Sequence, residues 1–283
     1  QSRQSFFMAD ILEEIVANKR VEVYIANQEM PLDVLKDLTM KKIAQDGQAK
    51  MRSMRKSLER SMSGIISEFK RKSPSKGWIH ADADPLDVIP KYAKGGASAI
   101  SILTDNKYFG GDLEFIRRVR PLIDTPILRK DFIIDEYQLY EARLMGADAV
   151  LLIAADLEIG SVRELTERAH ELGLEVLLEV HDPKELRYVA EVPEVDMLGV
   201  NNRALGTFHT DVQHSFDIAE AMKDAVAGLA TKPLLVSESG IGDPAIVKKL
   251  RNVGFRGFLI GENFMKESDP GEALVQFINK VES

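Results

Sequence analysis

The sequence predicts an α/β protein, a single (β/α)8 TIM barrel with an N-terminal helical extension. Three observations predict it. From Gly64 onward, short β-branched runs alternate with amphipathic helical stretches at intervals of roughly 20–35 residues, the rhythm of consecutive βα units. Eight such units follow one another, with no dinucleotide fingerprint and no low-complexity linker between them. The length of 283 residues suits one barrel domain, a fold that commonly uses about 250. A doubly wound open sheet is the structural competitor.

Residues 1–7 precede Met8, where an amphipathic pattern begins, and read as a tag remnant or a disordered extension. Residues 8–63 read as a helical preface. Ile11, Leu12, Ile15 and Val16 recur at helical spacing, then the charged Lys19-Arg20 and a second apolar set at Val21, Val23 and Tyr24. A polar segment around Gln45 to Lys50 separates a further helix running to about Arg60. Residues 64–283 form the barrel. Its strands are expected near Ile65–Lys70, Ala99–Leu103, Pro126–Lys130, Ala149–Ile153, Glu175–Val180, Met197–Asn201, Leu234–Ser237 and Gly257–Ile260. Gly95-Gly96, Gly146 and Gly173 read as helix stops, and Pro85, Pro183 and Pro244 as helix starts.

The bulk chemistry narrows the function classes. A hydrophobic content of 45% and a charged content of 29% fit an ordinary folded core. The net charge of −8 argues against nucleic-acid binding, which leaves a basic footprint. With no cysteine, disulfides, thiolate metal sites and thiol catalysis are excluded. No run approaches the roughly 20 apolar residues of a membrane span, and no signal-peptide core is visible, so no membrane partner and a cytoplasmic location are the default expectations. His80, His170, His181, His209 and His214 show no metal-ligand spacing, and no P-loop occurs. No metal or cofactor is expected.

In a barrel of this kind the C-terminal strand ends and the loops after them build the active site. Strand one ends Ser67-Glu68-Phe69-Lys70, and residues two apart share a face, so Glu68 and Lys70 point the same way. The following Arg71-Lys72-Ser73-Pro74-Ser75-Lys76-Gly77 suggests a charged mouth with a mobile loop, or simply a solvated charge run. Strand three exits through Lys130, which a surface role would also explain. Strand five carries Glu179 in an otherwise buried run, and a buried carboxylate needs a partner, catalytic or structural. Asn201 and Arg203 share a face after strand six, where a plain turn is the local alternative. The exits Ser237-Glu238-Ser239-Gly240-Ile241 and Ile260-Gly261-Glu262-Asn263 read as a phosphate gripper, because glycine lets backbone N–H groups approach an anion. Phe109 and Phe132 are placed to flank an aromatic ligand. Trp78 reads as a packing residue.

These residues together resemble the indole-3-glycerol-phosphate synthase family. The segment Ile65-Ile66-Ser67-Glu68-Phe69-Lys70-Arg71-Lys72-Ser73-Pro74-Ser75 is similar to that family's signature. Further blocks follow in the same order: Leu103-Thr104-Asp105 with Tyr108-Phe109-Gly110-Gly111, Leu128-Arg129-Lys130-Asp131-Phe132, Leu178-Glu179-Val180, Asn201-Asn202-Arg203 and Ser237-Glu238-Ser239-Gly240-Ile241. The resemblance implies a cofactor-free carboxy-lyase of tryptophan biosynthesis that closes the indole ring. Its implied substrate is 1-(2-carboxyphenylamino)-1-deoxyribulose 5-phosphate, a small phosphorylated aromatic sugar.

By the same resemblance Lys130 is the general acid and Glu179 the general base. Lys70 holds the substrate and is a candidate acid in dehydration, with Glu68 and Asn201 in support. Ser73, Pro74, Phe109, Phe132, Arg203 and Ser239 are implied to bind substrate, and Gly240, Gly261 and Glu262 to take the phosphate. Lys70, Lys130 and Arg203 converging on one mouth would lower lysine pKa values and attract an anion. Two departures stand out. Ala204 replaces an expected Asp or Asn, and Glu262 a smaller residue. A phosphoribosylanthranilate isomerase-like barrel is the nearest alternative, but by resemblance it needs a cysteine on the first strand. A non-catalytic barrel for a phosphorylated ligand is the other, and it predicts loss of Lys130 or Glu179.

Overall fold

The computed structural model describes residues 2–47, 51–192, 194–204 and 208–283, with side chains from residue 11 onward. Three helices come first: α1 (Ser2–Glu29), α2 (Leu32–Asp46) and α3 (Met54–Arg60). Gln1, and residues 48–50 of the expected polar segment, lie outside the described residues. The chain then runs β1 (Ile65–Phe69), β2 (Lys72–Ser73), β3 (Gly77–Trp78), α4 (Pro85–Lys94), β4 (Ala99–Leu103), α5 (Leu113–Val119), β5 (Ile127–Lys130), α6 (Glu136–Met145), β6 (Ala149–Ile153) and α7 (Ile159–Glu171). It continues β7 (Glu175–Val180), α8 (Arg187–Glu191), β8 (Met197–Asn201), α9 (Gln213–Ala227), β9 (Leu234–Glu238), α10 (Pro244–Asn252), β10 (Phe255–Ile260), α11 (Glu262–Met265) and α12 (Pro270–Glu282).

Strands β1 and β4 to β10 close into one parallel barrel, each paired with its neighbour in sequence and β10 returning to β1. Each expected strand is present, with ends moved by at most two residues. Asp84, Asp112, Asp135, Asp243 and Asp269 cap the helices they precede, accepting first-turn N–H groups and so satisfying donors that have no partner within the helix. Gly146 ends α6 at φ 109°, a left-handed stop that β-carbon-bearing residues resist.

The two-residue strand period sorts side chains between two cores. One face packs outward under the helices, as with Ile65, Phe69, Ile100, Ile127, Val176 and Phe258. The other points into the barrel, where Ile66, Ala99, Leu128, Leu151, Leu177, Met197, Val236 and Leu259 fill the lower layers. Met54 and Leu58 of α3, both fully buried, join this inner core and stopper the barrel at the strands' N-terminal end. Helix α3 is tied there by Glu175, whose carboxylate accepts from Ser53 Oγ (2.8 Å) and Arg55 N (3.0 Å).

The segment after β1 differs from the loop the sequence suggested. Strands β2 and β3 form a small antiparallel hairpin, with Lys72 opposite Trp78 and Ser73 opposite Gly77. Trp78 is not a core residue either. It is 55% exposed, with the Arg71 and Lys72 cations over its ring. The hairpin is held by this stacking and by Gly77, whose φ of 65° closes the turn.

Candidate active site

Continuing the inward series by two residues from the apolar layers leads to the polar rim: Ile66 to Glu68 and Lys70, Leu128 to Lys130, Leu177 to Glu179, Val236 to Glu238. The centre of the rim is Glu68, 1% exposed. Its Oε2 accepts from Lys130 Nζ at 2.9 Å and from Ser101 Oγ at 2.8 Å, and its Oε1 lies 3.7 Å from Lys70 Nζ. Burial opposes ionisation of Glu68, but the two ammonium groups and the Ser101 hydroxyl outweigh it and hold the carboxyl below its usual range. The structure thus brings the sequence-predicted Glu68, Lys70 and Lys130 together at the rim.

The two lysines are electrostatically unlike, which corrects the expectation of one shared cationic pressure. Burial depresses Lys70, and Lys130 and Arg203 add to that against the pull of Glu68. Burial acts the same way on Lys130, yet Glu68, Glu238 and Glu179 together overcome it and raise its pKa above the ordinary lysine value. Glu68, at 2.9 Å, is the largest of these three carboxylate influences.

Glu179 lines the hollow beside Lys130 and sits 3.5 Å from His181 Nε2. A third buried carboxyl, Glu238, is fully enclosed, and no donor among the described residues reaches either of its oxygens. Burial first, and then the neighbouring Glu179, push it well above the usual glutamate range. A protonated Glu238 donating to Glu179 accounts for both facts. Asp156 nearby is pushed up to about 7 by burial and by Glu179 and Glu185. Glycines make room for these carboxyls: a β-carbon on Gly199 would lie 2.6 Å from Glu238 Oε2, and one on Gly261 would lie 3.0 Å from Glu68 Oε1.

The Glu238 environment has a measurable consequence. The folded state keeps this proton to higher pH than the unfolded chain does, so the cost of burying Glu238 grows as pH rises above the ordinary glutamate value of 4.5. Glu238→Gln, which keeps a donor toward Glu179, should raise the melting midpoint at pH 8 by at least about 2 °C. Scanning calorimetry should find that gain shrinking as pH falls toward the acid range, and a gain that is constant with pH would contradict the assignment.

Around this centre the hollow has two sides. On the apolar side the Phe109 and Phe132 rings lie 6.0 Å apart, joined by Ser73, Pro74 and, from α1, Ile11, Leu12 and Ile15. On the other side Lys70, Arg203, Gly240, Gly261, Glu262 and Lys266 border a polar recess. Ser239 and Gly240, which line the recess, both have φ of 74°, a consecutive pair in the left-handed region. Asn201 Oδ1 accepts from Ser239 Oγ (2.9 Å) and Arg203 N (3.0 Å), tying the two loops together. Arg203 Nη1 reaches across to Ser75 Oγ at 2.6 Å, and Glu262 faces Lys76 at 3.8 Å, so the hairpin loop is held over the recess from two sides. At Ala204 the backbone N–H bonds His209 O (3.0 Å), and residues 205–207 beyond it lie outside the described residues. Among the described residues no three His, Asp or Glu side chains are grouped to hold a metal ion, and no helix is long and apolar enough to cross a membrane.

Sequence reasoning missed Glu238, Ser101, His181 and the α1 side chains. The signal for Glu238 was present: it stands two residues after the inward Val236, as Glu179 does after Leu177. His181 was passed over because metal spacing was the only criterion applied to histidine.

The family model described as "Indole-3-glycerol phosphate synthase" matches residues 12–277. The chain is 55% identical over 276 residues to an indole-3-glycerol phosphate synthase of Bacteroides thetaiotaomicron, covering 97% of this chain and all of that protein. It is 38% identical over 270 residues to one from Polaromonas sp., covering 95% and 98% respectively. Among solved structures, the tryptophan synthase A-subunit of Pyrococcus furiosus aligns with a TM-score of 0.55 at 15% identity, over 78% of this chain and 97% of that one, a likeness of fold.

Proposed function

The chain belongs to the indole-3-glycerol phosphate synthase family, a carboxy-lyase of tryptophan biosynthesis, and on that premise we propose how its rim residues divide the reaction. The substrate is 1-(2-carboxyphenylamino)-1-deoxyribulose 5-phosphate. Its ring enters the apolar side between Phe109, Phe132 and Pro74, with Ser73 beside it, and its phosphate takes the recess of Gly240, Gly261 and Glu262 N–H groups. The two-sided hollow supports this orientation, since one end of the ligand is aromatic and the other a dianion.

Held at both ends, the ribulose carbonyl is brought against the ring carbon that attacks it, so much of the rate comes from orientation. Lys130 gives its proton to the carbonyl oxygen as the carbon–carbon bond forms, and carbon dioxide then leaves the same ring carbon. Dehydration follows. Lys70, poised by its depressed pKa, protonates the departing hydroxyl while Glu179 removes a proton and the indole becomes aromatic. Glu68 orients both ammonium groups, and Asn201 with Arg203 and Ser239 fixes the sugar. The single observation that carries this reading is Glu68 joined at once to Lys130 and Lys70 beneath a hollow that also contains Glu179.

The test is turnover. The native chain, mixed with the carboxyphenylamino substrate and no nucleotide, should generate indole fluorescence, and a chain that only binds the substrate would sink the reading. A second measurement concerns Lys70. Its ammonium should be lost at a pH below the ordinary lysine value of 10.5. Affinity for indole-3-glycerol phosphate should therefore weaken early on the alkaline side, and Lys70→Arg, which does not titrate there, should move that fall upward.

A further inference from the structure

Helix α1 lies outside the barrel, yet one of its lysines ends inside the wall of the active site. Lys19 is 3% exposed. Its Nζ lies 2.8 Å from Asp105 Oδ1, 2.9 Å from Asp131 Oδ1 and 2.6 Å from Glu22 Oε2. Asp105 and Asp131 are themselves buried, at 0% and 3%. Burial opposes a charged Lys19, and the two aspartates overcome that and hold its pKa above the ordinary range. The cluster is thus a closed set of charges whose members all need one another.

What matters is where the two aspartates stand. Asp131 directly follows Lys130 at the end of β5 and precedes Phe132. Its Oδ1 also accepts from Phe132 N (2.7 Å), and its Oδ2 from Thr104 Oγ1 (2.6 Å), with Arg129 Nη2 at 3.4 Å. Asp105 opens the loop after β4 that carries Phe109, and its Oδ2 accepts from Tyr108 N at 3.0 Å. Lys19 therefore bolts together the two loops that present the facing rings of Phe109 and Phe132, one residue from the general acid. On the same face of α1, four and seven residues earlier, Ile15 and Leu12 line the hollow. The helix supplies part of the wall and the ion pair that locates it.

We propose that Lys19 is a positioning residue for the ring-closure reaction: by pairing with Asp105 and Asp131 it sets the spacing of the Phe109–Phe132 clamp and the direction of Lys130. The role rests on the reading of Lys130 and the two rings given above. Lys19 itself touches no reacting atom.

The experiment compares the native chain with Lys19→Met, Lys19→Arg and Asp105→Asn, measuring kcat, KM and affinity for indole-3-glycerol phosphate well below each variant's melting point. A displacement of about 1 Å in the clamp costs on the order of 10²-fold. Lys19→Met should accordingly lose about 100-fold in kcat/KM, with KM raised and product binding weakened. Lys19→Arg, which keeps the charge, should recover to within about fivefold. If Lys19→Met does not fold, Asp105→Asn gives the same reading, with a smaller rise in KM because Lys19 and Asp131 stay paired. A purely structural lysine would lower the melting point and leave the kinetics of the folded enzyme alone. Values of kcat and KM within twofold of native in a folded variant overturn the proposal, whereas absence of turnover in the native chain would instead overturn the reading of the site.

Discussion

Lys130→Met should reduce kcat by about 10³–10⁴-fold while leaving a barrel that still binds indole-3-glycerol phosphate. Methionine has nearly the length of lysine, so packing at the end of β5 survives and the proton donor does not. The substitution also withdraws the cation that three buried carboxyls share. Of its two cations Glu68 then keeps only Lys70 at 3.7 Å, and burial, no longer outweighed, drives its carboxyl upward. Folding of the variant should therefore become proton-linked: its stability deficit against the native chain is largest at alkaline pH and shrinks as pH falls and Glu68 is neutralised. Measuring product binding at the pH where the variant is most stable separates a lost acid from a lost fold. Native turnover in a folded Lys130→Met enzyme would remove Lys130 from the chemistry.

The second large effect is expected at Glu179. Glu179→Gln should lower kcat by about 10²–10³-fold, with KM changed much less, because the amide fills the same space but accepts no proton. The neighbouring Glu238 makes the variant informative. In the native enzyme the Glu179 charge is one of the forces pushing Glu238 up. With an amide in its place that force is gone, so Glu238 ionises more readily and can serve as a base. Residual activity in Glu179→Gln should consequently rise with pH as Glu238 ionises, and the double substitution with Glu238→Gln should abolish that rise in a pH–rate profile. A residual rate flat with pH in the single variant would place the base elsewhere.

The barrel was legible because short apolar runs bounded by turn residues are a local signal. The stretches Ala99–Leu103, Ala149–Ile153 and Met197–Asn201 are such runs, and the structure has strands there with the same ends. The charged rim was legible for the same reason: Glu68 and Lys70 are two residues apart, and no tertiary knowledge is needed to put them on one face. What was not legible depended on distance. Lys19 looks like an ordinary charged residue on a surface helix, and only the fold brings it to Asp105 and Asp131, 86 and 112 residues later in the chain. The hairpin of β2 and β3 escaped because strands of two residues show no periodicity at all. The opposite pKa directions of Lys70 and Lys130 were likewise invisible, since they depend on how many carboxylates each lysine meets.

The stopper formed by Met54 and Leu58 bears on how products leave. With the lower mouth plugged by hydrocarbon, the binding mode proposed above would send carbon dioxide and water out past the upper rim, where the phosphate would hold the indole product. Small molecules must slip past a larger one that has not yet departed, so a bulkier ligand wedged beneath Phe109 and Phe132 would obstruct the exit as well as the entrance.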